Sequence, residues 1–221
     1  MGAVPPSYNL HMPASSDRLN QLLVQSGSDP LNTEAAERFA AYLTLLQKWN
    51  ARTNLTAIRE EEGILSRHFL ESILCARALP TNIHTLLDFG SGAGFPGLPI
   101  AILRPEIAVT LAESQNKKAA FLREAIRTLA VQVQVHSARA QELKIRFDCV
   151  TLRAVDNMQA AIPAATELVA PGGLLALLTT STDAPVLQSL VREPFLWQPP
   201  VPLPAGTSRL LVYGTLPKIT V

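Results

Sequence analysis

Hydrophobic positions in the first third of the chain recur at helical spacing. Phe39, Tyr42, Leu43, Leu46 and Trp49 form one apolar stripe, which predicts a helix over Thr33–Trp49. Asn32 or Thr33 is placed to cap its start, and Glu34 and Glu37 follow in the first turn, where acids suit the helix dipole. A shorter helical pattern over Asp17–Gln25 breaks at Gly27–Pro30. Asn50–Asn54 reads as a polar loop. A second strong helix is predicted over Glu60–Ala78: Ile64, Leu65, His68, Phe69, Ser72, Ile73 and Ala76 share a face, and Pro80 ends it.

The period then changes. His84–Phe89, Ile107–Ala112, Val131–Val135, Phe147–Leu152 and Leu174–Thr180 read as strands, the third of them strictly alternating. Pro96–Leu103, Asn116–Leu129 and Ala160–Val169 between them read as helices, and Pro171–Gly173 as a turn. Strands alternating with helices imply a parallel α/β sheet. A weak helix follows Thr182. The Pro-rich stretch Gln198–Pro204 and the segment Arg209–Tyr213 then read as an antiparallel hairpin at one end of the sheet.

Composition agrees with one ordinary domain carrying an appendage. The chain has 221 residues, 48% of them hydrophobic, enough for a sizeable core. Residues 1–16, rich in Pro and Ser, read as a disordered tail, 17–80 as a helical extension and 81–221 as one compact domain. A net charge of +1 excludes a wholly basic nucleic-acid binder and an acidic solvating protein. Two cysteines, Cys75 and Cys149, cannot make a disulfide framework or a four-thiolate zinc site, and no metal site is expected. There is no apolar run of about 20 residues to span a bilayer. The N-terminus lacks a basic start and an apolar core, so no secretory signal is read, and Pro6 argues against myristoylation. A cytoplasmic protein without a membrane partner is expected, with a monomer as the default.

The chemistry concentrates in Asp88-Phe89-Gly90-Ser91-Gly92-Ala93-Gly94-Phe95-Pro96-Gly97, between a predicted strand and a predicted helix. Glycines there let a backbone turn tightly and approach a ligand at the carboxyl end of a parallel strand. The run lacks the Gly-Lys-Ser/Thr of a P-loop. Asp88 just before the glycines suits a ligand with a cationic amino-acid end, such as S-adenosylmethionine (SAM), by holding nearby amides or the ammonium. The next strand ends in Glu113, 25 residues past Asp88, where a carboxylate can accept both ribose hydroxyls of an adenosine. The combination favours a SAM-type site, with dinucleotide binding as the rival.

With those residues in place, the sequence resembles the RsmG (GidB) family, methyltransferases of guanine N7 in small-subunit ribosomal RNA. The likeness covers about residues 35–180. It rests on the Trp49-Asn50 to Ile58 block, on Arg67-His68-Phe69-Leu70-Glu71-Ser72 with Glu71 in place of the usual Asp, on Asp88 to Pro99, on Glu113-Ser114 with Lys117-Lys118, and on Arg153-Ala154. Three positions depart. Gln141 replaces a usual Glu, Leu177–Thr180 lacks a Lys-Gly pair, and Gly214 and Thr215 stand where a lysine is usual. These bear on the rRNA surface more than on the cofactor site.

The resemblance implies a Rossmann-like class I SAM-dependent methyltransferase, with helices on both faces of a mostly parallel sheet and SAM as cofactor. It implies 16S rRNA in the small ribosomal subunit as partner. It puts Asp88, Gly90, Gly92, Gly94, Phe95, Glu113, Ser114, Ala140, Gln141 and Arg153 at the cofactor, with Arg153 also the candidate for positioning the reactants. A surface pair of Arg153 with Asp156 is the plain alternative. Guanine N7 is already an unprotonated nucleophile, so no general base is expected, only alignment. Residues 113–153 carry eight Lys/Arg against four acids, while the rest of the chain is net −3. Lys117, Lys118 and Arg123, with Arg67 and His68, are therefore candidates for RNA contact, although His68 on its helix face fits a core or capping role as well. A small-molecule or protein methyltransferase, or an RNA-binding assembly module with a vestigial cofactor site, stays as an alternative.

Overall fold

The computed structural model describes residues 14–218 apart from 193, 205 and 207. Residues 1–13 of the expected tail lie outside that range. Ala14–Ser16 are not tail: helix α1 spans Ala14–Gln25, and the buried Ser16 hydroxyl donates to the Ala36 carbonyl at 3.0 Å.

Helix α2 spans Thr33–Thr53, with the Asn32 side chain accepting from the Ala35 N–H at its start. It runs through the expected loop at 50–54 because Asn50 is buried and turned to the next segment. Its Oδ1 accepts from the Thr56 N–H at 3.0 Å and its Nδ2 donates to the Ile58 carbonyl. Asn54, at φ 49°, ends the helix; Asn tolerates this left-handed conformation. The second predicted helix is continuous but not uniform. A turn of α-helix, α3 (Glu61–Gly63), leads into a π-helical segment, Ile64–Leu70, and then into α4 (Glu71–Ala78). Pi-helical turns shift side chains around the axis and occur disproportionately at functional sites.

The remaining elements are β1 (Thr85–Phe89), α5 (Gly97–Leu103), β2 (Ala108–Ala112), α6 (Asn116–Leu129), β3 (Val133–His136), a short 3-10 turn (Ala140–Glu142), β4 (Phe147–Arg153), α7 (Met158–Glu167), β5 (Val169–Thr180), α8 (Ala184–Ser189), β6 (Leu196–Trp197), β7 (Val201–Pro202) and β8 (Arg209–Thr215). Strand β3 starts two residues later than its alternation suggests, since Val131 is still tied to α6 by a bond from its N–H to the Ile126 carbonyl. Pro171–Gly173 is not a free turn. It lies inside β5, where the pairing with β4 slips between Phe147 and Cys149.

The sheet order is β3-β2-β1-β4-β5-β8-β6, with β7 also paired to β8. Strands β1 to β5 are parallel; β8 is antiparallel to β5, and β6 and β7 are antiparallel to β8. The expected C-terminal hairpin is thus β7–β8, with β8 inserted beside β5.

Alternation along the strands divides the core. Leu86, Leu111, Cys149, Ala176 and Leu211 face a cluster shared with the helices from α1 to α6. Leu87, Val150, Leu152, Leu177 and Val212 face one shared with α7 and α8. An aromatic chain ties the N-terminal helices into the first cluster: Phe39 to Phe69, Phe69 to Tyr42, Tyr42 to Phe95 and Phe121, and Trp49 edge-on to Phe121.

Candidate functional site

Parallel strands leave their carboxyl ends along one rim, and ligands of such sheets bind there. Here Phe89 pairs with Ala112 and with Leu152, and Arg153 pairs with Leu178. Gly90, Glu113 and Arg153 therefore emerge together. Because β8 runs the other way, its first residue, Arg209, opposite Thr180, reaches the same rim. A cleft of about 840 Å³ opens over it, lined from Leu55–Ile58, Arg67 and His68, the glycine turn, Glu113–Gln115, Ala138–Gln141 and Arg153–Asn157.

The glycine turn is held from within. Tyr42 of α2 donates to the Ala93 carbonyl at 2.5 Å. Gly94, at φ +89°, leaves room for that contact, since a Cβ there would lie 2.8 Å from the Tyr42 hydroxyl. Gly97 is a second point of close approach, where a Cβ would meet Leu111 and the Asp88 carboxylate. Five backbone N–H groups of the turn are already committed. Ser91 donates to the Ala112 carbonyl, Gly92 to Glu113 Oε2, Gly94 and Phe95 to the Ser91 carbonyl, and Gly97 to Asp88 Oδ2. A pyrophosphate needs such amides free. With five of these amides spent, few remain for a pyrophosphate, which favours a nucleoside with an aminoacyl end over the dinucleotide rival.

Asp88 takes the amide role and not the ammonium role. It is buried behind the turn, accepts from the Gly97 N–H at 3.1 Å and from the Thr151 hydroxyl at 2.9 Å, and does not border the cleft. Burial pushes its carboxyl up to about 6. Glu113 is buried at the cleft wall. Oε2 accepts from Gly92 at 2.9 Å and Oε1 from Gln115 at 2.7 Å, and each oxygen can accept once more.

Among the other candidates, Gly90, Gly92, Phe95, Ser114, Ala140 and Gln141 line the cleft, while Gly94 faces Tyr42 instead. Phe95 is also core, stacked between Tyr42 and His68. Lys118 and Arg67 border the cleft. Lys117 is exposed outside the lining, and Arg123 lies with Arg127, Val133 and Val135 in a separate shallow groove by the sheet edge.

Arg153 does not pair with Asp156. Its Nη2 donates to the Arg67 carbonyl at 2.7 Å and lies 3.2 Å from Glu71 Oε2, and its guanidinium sits 5.9 Å from the Phe95 ring centre. Burial lowers it to about 10, so it stays protonated at neutral pH. Glu71 is wholly buried and also receives both Nε and Nη2 of Arg209 at 2.9 Å. Sequence reasoning missed Arg209. A lone arginine opening a strand had no visible link to Arg153 until the antiparallel pairing put the two on one rim.

His68 borders the cleft as a partly buried, stacked ring and not as an exposed cation. Its ring stacks on Phe95 at 4.7 Å, Nε2 lies 2.7 Å from Thr56 Oγ1, and Nδ1 is buried without a partner among the described residues. Burial, with Arg153, Arg67 and Arg209 nearby, pushes it down to about 3. The unfolded chain protonates this histidine below an ordinary 6.5, whereas the folded chain resists until about 3. Its contribution to stability is therefore present above 6.5 and lost as pH falls toward 3. Lowering pH from 7 to 5 is expected to cost about 2 kcal/mol through this residue. Asp88 works in the opposite sense, its share being lost as pH rises from 3.8 through about 6. Urea unfolding of the native protein and of His68→Gln at both pH values isolates the histidine term. Equal losses in the two proteins would remove it.

The family model described as rRNA small subunit methyltransferase G matches residues 35–194. The ribosomal RNA small subunit methyltransferase G of Roseiflexus sp. (strain RS-1) is 50% identical over 135 residues, covering 58% of this chain and 58% of that relative, less than two thirds of its length. The protein of the same name from Roseiflexus castenholzii is 40% identical over 169 residues, 73% of this chain and 72% of that one. A methyltransferase from Pyrococcus furiosus superposes with a TM-score of 0.61 at 14% identity, over 82% of this chain and 99% of that chain. A SAM-dependent O-methyltransferase from Thermotoga maritima gives 0.56 at 16% identity, over 68% and 66%. These structures share the Rossmann-like methyltransferase fold.

Proposed function

The chain belongs to the rRNA small subunit methyltransferase G family, and from that premise we propose that it methylates guanine N7 in 16S rRNA of the small ribosomal subunit, in the decoding-region loop, with SAM as donor. One observation carries the reading. A single cleft joins a nucleoside-type end, built from Glu113 and the self-satisfied glycine turn, to a wall carrying Arg67, Arg153 and Arg209. Bound SAM supplies an electrophilic methyl group on a sulfonium leaving group. Glu113 accepts the ribose hydroxyls, and Ala140 and Gln141 border the adenine. Phe95 and His68 give the cleft a flat, uncharged aromatic wall.

Guanine N7 has an in-plane lone pair and no proton, so the protein has to align and dehydrate the reactants. The state of His68 agrees with that requirement, because an imidazole held near 3 is a poor proton acceptor. Arg153, fixed by Glu71 and the Arg67 carbonyl, is the positioning residue. Residues 14–80 are read as an extension that completes the site of the compact domain 81–221, and the enzyme as a cytoplasmic monomer. Among the described residues no helix is long and apolar enough to cross a membrane.

The test is methyl transfer from labelled SAM to small ribosomal subunits lacking the base methylation, followed by digestion and identification of the nucleosides. Label is expected in 7-methylguanosine. Label in another nucleoside or in protein would overturn the N7 reading.

A further inference from the structure

Two arginines share one carboxylate at the cleft wall. Glu71 is completely buried, and the Arg153 and Arg209 side chains are only 7% and 15% exposed. The group therefore carries one positive charge in excess, largely out of water, where counter-ions screen it poorly. Arg209 spends Nε and Nη2 on Glu71, and Arg153 spends Nη2 on Glu71 and the Arg67 carbonyl. Among the described residues, Nη1 of both and Nε of Arg153 have no partner. Both residues line the cleft.

We propose that Arg153 and Arg209, spaced by Glu71, form a subsite for a phosphate group of the nucleotide being methylated. The proposal rests on the reading of the cleft as an RNA-methylating site. A phosphodiester brings the single negative charge that the group lacks, and guanidinium forks match its oxygens. The base itself is the wrong neighbour, since N7 methylation leaves it positively charged. The carboxylate of SAM is the other anion available. Arg209, however, starts four strands from Glu113 along the rim, about 19 Å at ordinary strand spacing. Arg153 starts only two strands away. The pair thus extends from the cofactor toward the end of the cleft formed with the N-terminal helices. Glu71 is a positioning residue here: it holds the two cations at a fixed spacing without touching the ligand.

The experiment compares guanosine 5′-monophosphate with guanosine as ligands of the SAM-loaded protein by calorimetry, in the native protein, Arg209→Gln and Arg209→Lys. The monophosphate is expected to bind the native protein about tenfold more tightly than guanosine, the scale of one charge-assisted contact. That preference is expected to fall below about twofold in Arg209→Gln and to persist in part in Arg209→Lys, with SAM affinity unchanged in both. If Arg209→Gln does not fold, the Lys variant carries the comparison, with a reduced preference expected. No preference in the native protein, including no detectable binding of either ligand, overturns the subsite. So does a preference unchanged in the Arg209 variants, and loss of SAM affinity with the preference intact reassigns the arginines to the SAM carboxylate. Labelling of 7-methylguanosine without a monophosphate preference would leave the methylation reading standing and remove this one. A preference without rRNA labelling would leave a phosphate site at the two arginines but overturn its assignment to the nucleotide being methylated.

Discussion

Glu71→Ala is expected to lower the stability of the folded chain by about 3–5 kcal/mol, the scale for removing one partner of a buried ion pair. The large value has a specific cause. Glu71 is fully buried and is the only carboxylate bonded to either guanidinium among the described residues, so its loss leaves two cations facing each other in a poorly solvated wall. Folded proteins hold only about 5–15 kcal/mol in total, so a substantial part of the margin would go. Urea unfolding should show a lower midpoint with an unchanged slope. Glu71→Asp keeps the charge and is expected to recover much of the loss. A midpoint unmoved in Glu71→Ala would mean that the arginines find water or each other's carbonyls at no cost.

The second large effect is on cofactor affinity. Glu113→Ala is expected to weaken SAM binding by about 1–3 kcal/mol, roughly ten- to a hundredfold. Two losses combine. The acceptor proposed for the ribose hydroxyls disappears, and the Gly92 and Gln115 N–H groups lose the oxygens that fix the turn. Glu113→Gln retains one acceptor and should fall between the two. Calorimetric titration with SAM decides the matter, and an unchanged dissociation constant in Glu113→Ala would withdraw the ribose role.

Much of this was legible in one dimension because the signals are local. Periods of 3.6 and 2 mark helices and strands by where apolar side chains must point, and the alternation of elements leaves a parallel sheet as the economical packing. The glycine turn, with an acid at the end of each flanking strand, marks the ligand rim for the same reason: backbone geometry there depends on residue type. Helix α6 even begins and ends where its stripe does, at Asn116 and Leu129.

Other features depended on contacts between residues far apart in the chain. Asn50 looks like a loop residue until Thr56 and Ile58 turn back to meet it. Asp88 looks like a ligand for a cation, yet Gly97 and Thr151 take its oxygens and the chain buries it. His68 looks like a member of a basic patch, but burial, with three arginines beside it, keeps it neutral.

The class of fold, the family and the rim proposed for the cofactor can all be read along the chain, since each is carried by short-range pattern and residue type. Which charges meet depends on how the folded chain brings distant residues together. Glu71 and Arg209 are 138 residues apart and share two hydrogen bonds, because an antiparallel last strand brings its first residue to the rim where the parallel strands end. Charge pairing is set by distance and burial, and neither is written in spacing along the chain.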